Sequence, residues 1–443
     1  MSVSLSEHFN YKKLFKAVLP SVFMMFFTSI YSIVDGFFVS NFVSTTAFAS
    51  LNLMIPVIMI LASVGFMMGA GGSALVAKTL GEGDRDKANS IFSMVVVFNF
   101  IIGLILSIVC CIFIEEIVIA LGATQEMISD CVSYGRTIIA FISLYTAQNC
   151  FQSMFVVAER PTFGFAIMVI AGVTNIVLDA LFIIVFNWGI FGSALATGIS
   201  YLVGTAIPVF YFLSKRNTSL LKFVKFKFNF KAIGFSALNG SSELVTNIAL
   251  SITSIFYNLQ LLKLAGENGV AAYGAIMYAG FIFAAIFIGY SIGSAPIISF
   301  NFGAKNHSEL KNILQKSLRI LTISGIIMFI FTEIFAMPLS FIFVGKNQEI
   351  LSLTTSGMRI YSISFLVVGI NIFASAFFTA LNNGLISAVI SFLRTLVFEI
   401  LCVMILPIFF KLNGVWFSCV VAELLAIIAS IICLVACRKK YHY

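Results

Sequence analysis

The sequence predicts an all-α polytopic membrane protein, with twelve transmembrane helices in two parallel six-helix repeats around a central cavity. Three observations carry that prediction. Hydrophobic residues make up 60% of the 443-residue chain, charged residues only 10%, and the mean hydropathy is +1.07; a soluble domain is about half apolar and about one quarter charged. Twelve apolar runs each reach the roughly 20 residues that a spanning helix needs. The second half of the chain also echoes the first at a nearly fixed offset.

Taken in order, the runs begin near Leu14, Ala47, Ala88, Met127, Thr162, Gly189, Ala232, Gly269, Asn312, Gln348, Leu385 and Gly414. The polar start and the length of the first run argue against a cleaved signal peptide. Short loops separate the runs. The longest, residues 215–231, carries six Lys or Arg and no acid. It divides the chain into an N-terminal six-helix half (1–214), a basic connector (215–231) and a C-terminal half (232–443). With the N-terminus inside, 20 of the 26 Lys and Arg fall at inner ends. The positive-inside rule then predicts cytoplasmic termini.

The repeat is legible in ordered matches. Arg136 and Arg359 are 223 residues apart, as are Pro161 and Gly384. Gly81 and Gly303 are 222 apart, and Gly189 and Gly414 are 225 apart. Because six is even, both halves keep one orientation, which is the parallel-repeat plan of many secondary transporters.

Composition and motifs exclude several other classes. A net charge of +8 invites a nucleic-acid reading, but the basic residues lie between apolar runs rather than on one face. "KFVKFKFNFK" interleaves Lys and Phe as single-strand binders do; between the sixth and seventh runs it reads as a connector lying on anionic lipid. "GEGDRDK" lacks the G-K-[ST] of a phosphate loop. The eight Cys form no C-x-x-C pair, and His8, His307 and His442 all lie outside the apolar runs. With no aspartate-rich transferase cluster and no ATP motif, the chain is expected not to be an enzyme and to need no cofactor. A passive channel stays open as a further reading.

Acids inside apolar runs normally face a cavity or a partner. Asp35 lies six residues before Asn41 in the first run, and Asp179 eight before Asn187 in the fifth. Helical rise places them about 9 and 12 Å from the outer end. Asn175 is one turn from Asp179, and Thr197 in the sixth run lies at a similar depth. These hard oxygen donors suit a small cation such as Na+, or a proton held on a carboxylate. Glu243 is the one deep acid of the seventh run. Arg394, Glu399 and Glu423 are deep enough to neutralise one another, while Glu333 and Lys346 fall near an outer end.

The chain resembles the multidrug and toxic compound extrusion (MATE) family, in its bacterial multidrug branch, over essentially its whole length. The resemblance is carried by "LPSVFMMFFTSIYSIVDGFFVS", "GAGGSALVAKTLGEGDRDKA", "VAERPTFGFAIMVIAGVTNIVLDALFI", "WGIFGSALATGIS" and "GYSIGSAPIISFNFGAKN". It implies a cation-coupling site at Asp35, Asn175, Asp179 and Thr197. It further implies a substrate cavity reached by Tyr31 and Glu243, and a first helix that bends at Pro20. The expected activity is antiport: amphipathic, often cationic aromatic compounds leave in exchange for H+ or Na+. The protein is expected to be a monomer in a bacterial inner membrane, with drug-like small molecules and lipid as its partners and no nucleic acid. The alternative within transport is a flippase for a lipid-linked precursor, which would favour basic rather than acidic groups in the cavity.

Overall fold

The computed structural model describes residues 4–345 and 347–443, so Lys346 lies outside the described residues. Six helices build the first half: α1 (Tyr11–Phe42), α2 (Thr45–Gly81), α3 (Arg85–Ile112), α4 (Gln125–Ala140 and Ile142–Val157), α5 (Pro161–Val185) and α6 (Gly189–Leu213). The second half comprises α7 (230–265), α8 (267–303), α9 (His307–Val344), α10 (Gln348–Ser362 and Phe365–Ala380), α11 (384–410) and α12 (412–441). Side-chain caps fix several starts: Asn10, Ser44, Asp84, Asn306 and Asn383 each accept a first-turn amide, which satisfies a backbone donor the helix cannot.

Helices α7 and α8 are parted only by Gly266 (φ 61°), and α11 and α12 only by Lys411 (φ 49°). A single left-handed residue is enough to turn each chain back on itself. Tyr257 and Tyr273, on either side of the first break, consequently stack with ring centroids 4.9 Å apart.

Duplication is written into the backbone. Left-handed residues recur in pairs, Gly83 with Lys305, Gly122 with Gly345, Glu159 with Asn382 and Asn187 with Lys411, at spacings of 222 to 224. The breaks in α4 and α10 match as well, bent by 52° and 55°.

The halves meet at one end and part at the other. At the end carrying both termini, small residues bring backbones together. A Cβ on Gly71 would run into the Ser236 carbonyl, one on Gly240 into Met67, and one on Gly81 into Phe300. An apolar cluster there joins Leu5, Phe9, Leu14 and Val18 to Phe287, Tyr290, Leu310 and Phe377 of the second half. Towards the other end, the clusters around Met54, Ile138 and Tyr201 and around Tyr257, Ile276 and Trp416 each stay within one half. A cleft between the halves therefore opens away from the termini. Pro20 lies where α1 changes sides: Leu14 to Val18 pack on the second half, Met24 to Val39 on the first. The connector, stitched to α3 by Asn89, Ser93 and Arg85, rides on the first half.

Candidate functional site

Three helices of the first half bring the predicted oxygen donors together. Asp35 projects from α1, Asn175 and Asp179 from α5, and Thr197 from α6. Asp179 is the last residue before a π-helical turn (Ala180–Val185); such turns re-aim side chains and often mark functional positions. Asn175 and Asp179 are fully buried, and Thr197 nearly so. Asp35 and Asp179 are direct electrostatic neighbours.

The hydrogen-bond account of this pocket does not close. The Asn175 amide nitrogen donates to Thr197 Oγ1 at 3.1 Å, and Ser193 Oγ donates to Asp35 Oδ1 at 3.0 Å. Among the described residues, Asn175 Oδ1 and both carboxylate oxygens of Asp179 are buried with no partner. Buried polar atoms are nearly always paired, and neither carboxylate has a hydrogen to give the other. A proton shared by the two acids, or a small hard cation among the free oxygens, would supply the missing partner.

Ser193 carries no chemistry that stands out in the sequence. Its signal is spacing: it precedes Thr197 by four residues and so shares its face of α6. Four buried tyrosines also surround the acids. Tyr31 lies against Phe27, their ring centroids 6.2 Å apart, and is an electrostatic neighbour of Asp35. Tyr134 senses both Asp35 and Asp179, and Tyr201 stacks on Tyr145 at 4.2 Å. Tyr134, Tyr145 and Tyr201 come from α4 and α6, and no local pattern announces their convergence. Beside them, the amides of Gln148 and Gln152 each point at Met168 Sδ from 3.2 Å.

Glu243 lies apart from this group, on the second half. It follows Ser236 and Gly240 at helical spacing on the face of α7 that meets α2, one turn beyond the tight contact, where the cleft begins. Among the described residues its carboxylate has no hydrogen-bond or ion-pair partner. The other deep acids of that half are all engaged. Arg394 Nη2 lies 2.7 Å from Glu423 Oε1, Asn371 donates to Glu423 Oε2 at 2.7 Å, and Ser430 donates to Asn371 at 3.0 Å. Glu399 stands outside that trio and accepts from Tyr257 Oη at 2.7 Å. Glu333 is half-buried and accepts from Ser362 at 2.9 Å.

Two like six-helix halves, joined at one end and parted at the other around polar groups, define the architecture of an alternating-access membrane carrier. The chain belongs to the MatE family, whose model matches residues 20–181 and again 244–405. It is similar to the multidrug export protein MepA of Staphylococcus saprophyticus subsp. saprophyticus, with 24% identity over 98% of this chain and 96% of that one. Among solved structures, an outward-facing multidrug resistance MATE family transporter of the MOP superfamily is similar with TM-score 0.90 and 21% identity, covering 99% of this chain and 97% of that one. A MOP superfamily transporter from Pyrococcus furiosus is similar with TM-score 0.91 and 21% identity, at the same coverage.

Proposed function

We propose that this chain is a secondary antiporter of a bacterial cell membrane that exports amphipathic, often cationic aromatic compounds in exchange for H+ or Na+. One observation carries the proposal: a pair of neighbouring acids in the first half, Asp35 and Asp179, with three buried oxygens that no group among the described residues satisfies. The likeness to MepA, a multidrug export protein, supports the direction and class of cargo. The basic residues crowd the end that carries the termini, so that end is assigned to the cytoplasm. The described state then opens outward.

In this scheme an incoming cation fills the oxygens of Asp35, Asn175, Asp179 and Thr197. Neutralised acids hold an organic cation less firmly, which favours its release to the outside. The membrane potential assists cation entry by about 2.3 kcal/mol per charge per 100 mV. Tyr31 and the neighbouring aromatic and amide side chains give the cargo an adaptable wall, and Glu243 faces it from the second half. A flippase has less support, because the unpartnered groups at the cleft are acids rather than bases.

The test is efflux of a fluorescent organic cation from vesicles under separately imposed proton and sodium gradients. Asp35→Asn and Asp179→Asn are expected to reduce gradient-driven export to the level of empty vesicles. Normal export by both variants would overturn the assignment.

A further inference from the structure

The end of the molecule that is closed carries a fastening beyond helix packing. Residues 4–10 run across the seam between the halves before α1 begins. The Leu5 amide donates to Glu159 Oε1 at 2.7 Å, on the α4–α5 turn of the first half. Glu7 pairs with Lys13 at the start of α1 at 2.6 Å, and the second half grips the segment at several points. Asn301 donates to the Leu5 carbonyl at 3.4 Å, and Asn312 and Lys316 donate to the Phe9 carbonyl at 3.0 and 2.6 Å. Leu5 and Phe9 are buried in the apolar cluster that joins the halves.

At the centre of the grip is Glu309, in the first turn of α9 and only 5% exposed. Its Oε1 accepts from the Phe9 amide at 2.9 Å and from Asn312 at 2.7 Å, and its Oε2 lies 2.6 Å from His8 Nδ1. A buried carboxylate with several donors forms strong, directional, charge-assisted bonds. The donors are arranged so that the segment cannot leave without uncovering that charge. Opening this end must stretch either the bond to Glu159 or the set on Glu309, since the two anchors belong to different halves.

We infer that residues 4–10 are a latch on the closed end of the carrier, and that Glu309 is its anchor, a positioning residue that sets how readily this end opens. The inference rests on the alternating-access reading above, but its test reads conformation alone and needs neither gradient nor cargo.

Hydrogen–deuterium exchange of the purified full-length protein, followed by mass spectrometry, provides that test. Glu309→Ala is expected to speed exchange of residues 5–10 by about tenfold or more. It should also speed exchange at 67–81 and 289–303, the helix stretches that form the seam. Peptides from 125–140 and 348–362, near the open end, should keep their rates. Glu309→Gln, which retains the shape of the side chain, should give an intermediate result and serves if the alanine variant does not fold. Glu7→Gln, on the exposed ion pair with Lys13, should change neither seam peptide. Unchanged exchange at 5–10 would overturn the inference. So would release of 5–10 with no change at the seam, because the segment would then be a passenger. A uniform rise in every helix would also overturn it, marking Glu309 as a general support. A carrier that keeps this exchange pattern yet exports nothing would refute the proposed function and leave the latch standing.

Discussion

The two halves share a backbone plan and differ in how they treat buried charge. In the first, Asp35 and Asp179 are neighbours, and three oxygens around them go unmatched among the described residues. In the second, Arg394 supplies the cation itself, and Glu423, Asn371 and Ser430 complete a closed chain of bonds around it. The repeat spacing of 223 carries Asp35 to Asn258 and Asp179 to Cys402, so the second half carries neither acid at the matching positions. Each half keeps a π-helical turn, but one follows Asp179 while the other contains Arg394. The same scaffold thus leaves buried acid oxygens unpartnered in one half and pairs the Glu423 carboxylate with Arg394 in the other. An exchanger needs the first arrangement.

Several substitutions break or sharpen this contrast. The largest effect is expected from Arg394→Met, which strands Glu423 in a buried site. Breaking such a pair costs about 3–5 kcal/mol, to be read as a fall in thermal unfolding temperature, and Arg394→Met combined with Glu423→Met should recover most of it. Asp179→Asn should do the opposite, abolishing export while leaving the unfolding temperature unchanged or raised. If both halves respond alike, the contrast between them fails. Next is Gly240→Ala, whose methyl group would meet the Met67 carbonyl at the seam. Overpacking of this kind costs about 1–3 kcal/mol, and here the loss falls on the closed state alone. Faster hydrogen exchange at 67–71, with an unchanged first-half acid pocket, is the expected record.

The sequence made the fold readable because a bilayer leaves few options. Unpaired backbone is so costly in hydrocarbon that apolar length alone marks each helix, and helix starts fell within five residues of expectation. Asp35, Asn175, Asp179 and Thr197 were readable because charge is rare at that depth and helical rise converts spacing into height. What stayed hidden depends on contacts between distant segments. Ser193 is one of many serines until α6 is seen beside α1. Arg394, Glu399 and Glu423 could be grouped in advance, but nothing local says that Arg394 takes Glu423 while Glu399 bonds Tyr257 instead. Nor does any periodicity place Phe9 on Glu309, 300 residues away.

The smallest expected effects form a matched pair and test the contrast most finely. Ser193→Ala removes one hydrogen bond to the Asp35 carboxylate, and Tyr257→Phe removes one to Glu399. Each loses a donor to an acid, a change of about 1–1.5 kcal/mol. In the open half that energy belongs to ion binding, so Ser193→Ala should shift the coupling-ion concentration for half-maximal export by about tenfold with little change in unfolding temperature. In the closed half it belongs to packing, so Tyr257→Phe should lower the unfolding temperature by a few degrees and leave the ion dependence where it was. Exchanged outcomes would mean that the coupling site lies around Glu399, and that the unmatched oxygens beside Asp35 are a structural defect rather than a working pocket.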